Sequence, residues 1–269
     1  MAVDYTARYG LEFNPFLKNS KEIILESAEY REAVYRLNYL AATKGFGVLT
    51  GSAGRGKTTA IRSWAGKLNP SLYKVIYISL STVTVTEFYR NLVTSLGGVP
   101  GYRKPENFRA IQEEIDRLTI EKRITPVIIL DEANYIKAAV LNDLKILFNF
   151  DMDSKDRAVV LLAGLPQLNN TLNLGIHEPF RQRIVMNYNL EGLTKEEGRA
   201  YISTKLKGAG CDVPVFDENA LEAILNASNG TPRLINKICN SSMLIGNKEG
   251  LNLINADIVM KAVGDCELG

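Results

Sequence analysis

A parallel α/β sheet covered by helices on both faces, followed by a small all-α lid domain, is the fold class the sequence predicts. Three observations predict it. Five runs rich in Val, Ile and Leu lie near residues 46–50, 74–79, 126–130, 158–163 and 184–190, and such continuous apolar runs suit strands buried on both faces. Helical spacing fills the gaps near 57–68, 86–96, 105–122 and 137–149, each segment being long enough for a right-handed crossover. After "LEGLTKEE" the strand signal stops, and helical stretches near 194–208, 217–228, 231–247 and 255–264 follow one another across Gly, Asn and Pro breaks. The predicted divisions are an opening segment 1–26, an α/β domain 27–191 and a helical domain 192–269.

In the opening segment Gly10, Asn14 and Pro15 interrupt an aromatic-rich stretch, Tyr5, Tyr9, Phe13 and Phe16. These rings either stack on a bound base, clamp an adjacent subunit or pin the segment to its own domain, and the last is the reading adopted. From Ser27 onward Ala33, Leu37, Leu40 and Ala41 recur at helical intervals, which predicts a helix to Thr43. Thr86 before Glu87 reads as the N-cap of the helix near 86–96, and Lys122 with Arg123 as cations at a helix end.

Composition narrows the function classes. The 269 residues are 46% hydrophobic and 23% charged, ordinary for a globular protein. With 32 basic and 30 acidic side chains the net charge is +2, so affinity for nucleic acid has to come from local clustering. Cys211, Cys239 and Cys266 are odd in number and widely spaced, and read as reduced thiols; the single histidine, His177, reads as a loop residue. The first twenty residues carry Asp4, Arg8, Glu12 and Lys18 without an apolar core, and no uninterrupted apolar stretch approaches the ~18 residues of a membrane span. The expectation is a cytoplasmic protein that does not cross a membrane.

Chemistry is concentrated in "FGVLTGSAGRGKTTAIRSW". Gly51, four residues, then Gly56-Lys57-Thr58 fits G-x-x-x-x-G-K-[ST] between an apolar strand and a helix. Gly51, Ser52, Ala53, Gly54, Arg55 and Gly56 form the turn, whose backbone N–H groups face phosphate oxygens, and Thr59 follows in the first helical turn. Lys57 bridges the β- and γ-phosphates of ATP, and the Thr58 hydroxyl takes one position on Mg2+. The metal also needs an acid. "VIILDEAN" supplies Asp131 at the end of a buried strand, and Glu132 beside it is the candidate base that polarises the attacking water. Adjacent acids in this place imply hydrolysis rather than binding alone.

Arginines complete the set. Arg181 and Arg183 in "HEPFRQRI" precede the last strand, and one of them is the candidate arginine finger for a neighbouring subunit's nucleotide. Arg233 opens a helix directly after Gly-Thr-Pro, where a cation is out of place unless an anion sits opposite, and a γ-phosphate bound between the two domains supplies that anion.

Taken together, "YGLEFNPF", "LTGSAGRGKTT", "VIILDEAN", "LLAGLPQLNNTL", "FRQRI", "GLTKEEGRAYISTKL" and "NGTPRLINKICNSSM" resemble an AAA+ P-loop ATPase over nearly the whole chain. Among these the chain is similar to the secretion-type ExeA/GspA ATPases and the transposition ATPases of the TniB, TnsC and MuB kind. The resemblance implies strand order 5-1-4-3-2, Arg233 as second sensor, "FRQRI" at the finger region, and rings or helical filaments of the chain with ATP at subunit boundaries. One element departs from the wider pattern. Where an asparagine-type first sensor is usual, the chain reads Ala163-Gly164-Leu165-Pro166-Gln167, which leaves Gln167 as the candidate.

The function expected is ATP-dependent, largely sequence-nonspecific binding of double-stranded DNA, with delivery of that DNA to a transposase. The alternatives are the ATPase of a secretion or envelope-assembly system and a nucleotide switch that binds only proteins. Candidate DNA contacts are Thr82 and Thr84 in "SLSTVTVTEFYR" and Arg103, Lys104 and Arg109 in "GYRKPENFR", where hydroxyls and cations meet phosphates without reading bases.

Overall fold

The computed structural model describes residues 5–79, 82–151 and 154–267. It divides into two compact units, one comprising Arg31–Ala53 and Lys57–Leu190, the other comprising the residues up to Tyr30, Gly54–Gly56 and the chain from Glu191 onward.

The first unit is built on five parallel strands, β1 (Gly45–Gly51), β2 (Tyr73–Ile78), β3 (Thr125–Leu130), β4 (Val159–Gly164) and β5 (Ile184–Leu190), in the order β2-β3-β4-β1-β5. This is the expected order. Pairing runs in register from Tyr73↔Thr125 to Ile78↔Leu130 and from Gly45↔Val159 to Thr50↔Gly164. Every residue of β1 and β4 is buried, which is why these strands read as unbroken apolar runs rather than as alternation. Alternate residues Val48, Ile128 and Val160 join a core with Phe88 and Leu92 of α3 (Val85–Leu96) and Ile111 and Ile115 of α4 (Lys104–Asp116). Leu141 and Leu144 of α5 (Ala138–Leu147) belong to the same core.

α1 (Ala28–Thr43) packs close on the strands: a Cβ on Gly47 would stand 2.3 Å from Leu40 Cδ2, so only glycine lets the helix approach so near. Trp64 of α2 (Lys57–Lys67) is fully buried and donates its indole N–H to Asn38 of α1 at 3.0 Å.

Several local readings change. The cap of α3 is Thr84 rather than Thr86, because Thr84 exchanges hydrogen bonds with Glu87 in a capping box that starts the helix at Val85. The helix expected to run to 122 ends at Asp116 and continues as a π-helical turn, Arg117–Glu121. Two short helices that the sequence periodicity does not predict, α6 (Gln167–Leu172) and α7 (Glu178–Arg181), follow β4. His177, read as a loop residue, ends a short 3-10 turn, Gly175–His177, just before α7; it is buried, 1% exposed, with neither ring nitrogen hydrogen-bonded among the described residues.

The second unit is helical: α8 (Lys195–Gly208), α9 (Glu218–Ser228), α10 (Pro232–Lys248) and α11 (Ala256–Glu267). Thr194 and Glu197 form a capping box on α8, and Asp217 caps α9. The opening segment belongs to this core. Tyr9, Leu11 and Phe16 pack with Ile202, Ile238 and Met243, and Tyr5 and Asn14 both bond Asn240 Oδ1, at 2.5 and 2.7 Å. The cysteines are free thiols, Cys211 and Cys239 buried and Cys266 half-buried.

Candidate active site

In a parallel sheet the carboxyl ends of the strands share one edge, and the crevice there is where ligands bind. β1 ends at Gly51, and the chain turns through Ser52–Gly56 before α2 opens at Lys57. Gly54 and Gly56 have φ of 78° and 99°. Turns of this kind present successive backbone N–H groups to an anion, and the helix behind adds the positive end of its dipole. Lys57 Nζ donates to the carbonyls of Gly51 at 2.6 Å and Ser52 at 3.1 Å, so the ammonium stands over the loop.

Asp131 follows β3, its N–H extending the β2–β3 ladder to Ile78 O at 3.0 Å. It is 6% exposed. Its Oδ1 accepts from the Glu132 N–H at 2.9 Å, while Oδ2 accepts from the Tyr77 hydroxyl at 2.6 Å and, more loosely, from Thr58 Oγ1 at 3.4 Å. Burial, then the neighbouring Asp131, push the Tyr77 hydroxyl up to about 12, which keeps it a donor. The Thr58–Asp131 pair is a hydroxyl and a carboxylate, the oxygen donors that suit Mg2+ when nucleotide phosphates and water supply the remaining ligands, so the residues fit that cofactor.

Glu132 is exposed and sits at φ 53° and ψ 37°, a left-handed conformation uncommon for a residue with a side chain. Strain of this sort costs on the order of 1–3 kcal/mol and clusters at functional sites. Behind it Asn134 Oδ1 accepts the Leu165 N–H at 3.0 Å, which ties the acidic turn to the end of β4.

Gln167, the candidate first sensor, is exposed at the start of α6. The side chain from α6 that reaches the phosphate-loop strand is Asn169: its Nδ2 donates to buried Thr50 Oγ1 at 3.0 Å, and Thr50 donates on to Asn189 Oδ1 at 3.0 Å. Tyr77, Asn134 and Asn169 are absent from the site the sequence predicts, because their partners, Asp131, Leu165 and Thr50, lie far from them in the chain.

The two finger candidates differ. Arg183 is half-buried and donates to Lys145 O at 2.9 Å, in the last turn of α5. Arg181 is exposed, with longer bonds to Asn173 O at 3.2 Å and Leu172 O at 3.4 Å. In the helical unit Pro232 occupies the first turn of α10, and the N–H of Arg233 donates to Gly54 O at 3.3 Å. The exposed Arg233 guanidinium has no ion-pair partner among the described residues.

Of the DNA candidates, Thr84 is engaged as the α3 cap, and Lys104 sits 2.5 Å from Asp143 and over the Tyr89 ring. Thr82, Arg103 and Arg109 are exposed.

Comparison with known proteins agrees with this geometry. Residues 40–172 match the family described as AAA domain. General secretion pathway protein A of Aeromonas hydrophila is 31% identical over 266 residues, which cover 96% of this chain and 48% of that protein, so the chain spans about half the length of this relative. The Aeropyrum pernix ORC2 protein, solved in ADPNP–ADP complexes, has a TM-score of 0.68 at 18% identity, with 93% of this chain and 71% of that chain covered. The ORC1 protein of the same organism, solved in complex with DNA, has a TM-score of 0.68 at 16% identity, with 94% and 69% covered. At such identities the likeness is one of fold. Motif geometry, sheet order and family together make residues 40–172 an AAA+ P-loop ATPase domain, with ATP and Mg2+ as its cofactors.

Proposed function

We propose that the chain binds Mg-ATP, oligomerises in that state on double-stranded DNA with little sequence preference, and delivers the DNA to a transposase. In this reading Lys57 holds the β- and γ-phosphates, Thr58 and Asp131 hold the metal, and Mg2+ supplies charge neutralisation at the phosphates. Glu132 accepts a hydrogen bond from the attacking water and turns its lone pair toward the γ-phosphorus. Arg233 senses the γ-phosphate from its own chain, and Arg181 serves as finger to the neighbouring subunit, so hydrolysis follows assembly and ends it.

The DNA half of the reading is carried by Arg103 and Arg109, exposed cations at the start of α4 with no ion-pair partner among the described residues. Lys104 adds little, since Asp143 offsets its charge. The fold likeness to a protein solved with DNA supports the same reading.

A second reading, the ATPase of a secretion or envelope-assembly system, is favoured by the 31% identity to General secretion pathway protein A.

Electron microscopy of the protein with duplex DNA and a slowly hydrolysed ATP analogue at modest salt tests the proposal. Nucleotide-dependent rings or filaments on DNA are expected. Binding should weaken with salt, and Arg103→Ala with Arg109→Ala should lower the slope of log affinity against log salt by about one for each phosphate no longer neutralised. Protein that ignores duplexes with nucleotide saturating, yet partitions with envelope fractions, overturns the first reading in favour of the second.

A further inference from the structure

The geometry points to Tyr77 as the positioning residue for the metal half of the site: its hydroxyl fixes the direction of Asp131 Oδ2. This rests on reading the site as one for Mg-ATP. An aspartate carboxylate turns easily about its last torsion, whose preferences are broad, so its partners decide where its lone pairs point. Here one oxygen is held by the Glu132 N–H at 2.9 Å and the other by Tyr77 at 2.6 Å. The second distance is that of a charge-assisted O–H···O bond. Thr58 reaches the same Oδ2 only at 3.4 Å, too long to hold the carboxylate by itself.

The placement comes from the sheet. β2 and β3 pair in register, Tyr77↔Ile129 and Ile78↔Leu130, and the ladder runs on to the Asp131 N–H. Side chains at 76 and 78 therefore enter the core, while Tyr77 lies on the other face, near the strand end where Asp131 turns. Tyr77 is 51% exposed, so packing gives a weak reason for an aromatic residue there and the hydroxyl a stronger one. Tyr77 and Thr58 meet the same Oδ2, the oxygen turned toward the proposed metal position, and the shorter bond is that of Tyr77. Tyr77 then affects how tightly Mg2+ joins the bound nucleotide, and has little effect on the grip of the phosphate loop on the nucleotide itself.

Tyr77→Phe in the full chain tests this, with a fluorescent ATP analogue titrated first in EDTA and then with Mg2+ at fixed nucleotide. Metal-free binding should stay unchanged while the Mg2+ concentration for half-maximal binding rises about ten-fold or more, the effect expected when an outer partner of a metal ligand is removed. Tyr77→Ala should shift the Mg2+ midpoint equally, because the hydroxyl rather than the ring is responsible. An unchanged midpoint in a folded Tyr77→Phe protein overturns the assignment. A parallel loss of metal-free binding also overturns it, by making Tyr77 a structural residue of the loop. Wild-type protein whose nucleotide binding ignores Mg2+ overturns the Mg-ATP reading itself, a result visible before any variant is compared.

Discussion

The backbone N–H of Arg233 donates to the Gly54 carbonyl at 3.3 Å, and a Cβ placed on Gly54 would come within 2.6 Å of Arg233 Cβ. One of the free N–H groups at the start of α10 is thus satisfied by the middle of the phosphate loop. Gly54 answers two demands at once, a φ of 78° and a neighbour that leaves no room for a methyl group. Gly54→Ala should lose nucleotide binding and lower thermal stability by on the order of 1–3 kcal/mol, the usual range for left-handed strain. Differential scanning fluorimetry with and without ATP checks it. A variant still stabilised by ATP as the wild type is would show that the loop tolerates the side chain.

Glu132 separates binding from turnover. In the proposed reading Glu132 is the base, and Glu132→Gln keeps the shape of the side chain while removing that carboxylate, so ATP affinity should hold while steady-state hydrolysis falls about 10²- to 10⁴-fold, the span typical of general-base loss. The left-handed φ of 53° adds a second comparison. Glu132→Gly removes the proposed base and also the strain, so it should be at least as stable as Glu132→Gln in chemical denaturation and equally inactive. Turnover that survives in Glu132→Gln would assign the base elsewhere.

The arginines of "FRQRI" should give different phenotypes. Arg183 is half-buried and joins the last turn of α5 through Lys145 O, where a cation also suits the helix dipole. Arg183→Ala should therefore cost about 1.5–3 kcal/mol of stability, the scale of a hydrogen bond that involves a charged group. Arg181 is exposed and its bonds to carbonyls are longer, so Arg181→Ala should melt as the wild type does while losing assembly-dependent hydrolysis. Mixing Arg181→Ala with a Lys57→Ala protein, which in the proposed reading loses its hold on nucleotide but keeps its arginine, should restore part of the activity. No restoration, with both variants folded, would argue against a finger acting across subunits.

How much of this was legible in the sequence follows from the range of each interaction. The five strands were, because burial on both faces leaves uninterrupted apolar runs, as in "VVLLAG". Their order was not read from the runs themselves; it came from family likeness, since pairing partners such as Val48 and Leu162 lie far apart in the chain. The phosphate loop and the acidic pair were legible because their chemistry is local. Helices of six and four residues, α6 and α7, carry too few turns to establish a period. Tyr77 and Asn169 were not singled out, because the partner that gives each its role, Asp131 or Thr50, is 54 or 119 positions away. The ion pair of Lys104 was hidden for the same reason, because nothing near it in sequence announces Asp143.

Lys205 yields a pH dependence whose sign is fixed by burial. The residue is 7% exposed on α8, and its ammonium donates to Pro15 O at 2.8 Å, holding the opening segment to the helical core. Burial lowers its pKa below the ordinary lysine value of 10.5, an effect partly offset by Glu22 and Cys239. The unfolded chain therefore keeps the proton to higher pH than the folded chain does. Between the two pKa values the unfolded state binds more protons, so stability contributed by this group rises with pH in the window just below 10.5. Below the folded-state pKa both states are protonated, and the cost of the buried charge is fully present. Lys205→Met removes the titration while keeping an unbranched chain in the core. The difference in unfolding free energy between wild type and Lys205→Met, measured by urea denaturation, should move in favour of the wild type as pH rises from neutral toward 10.5. Other groups that titrate in this range cancel in that difference. A difference that stays flat, or moves toward the methionine variant, would mean that the folded state holds the Lys205 proton as firmly as the unfolded chain does.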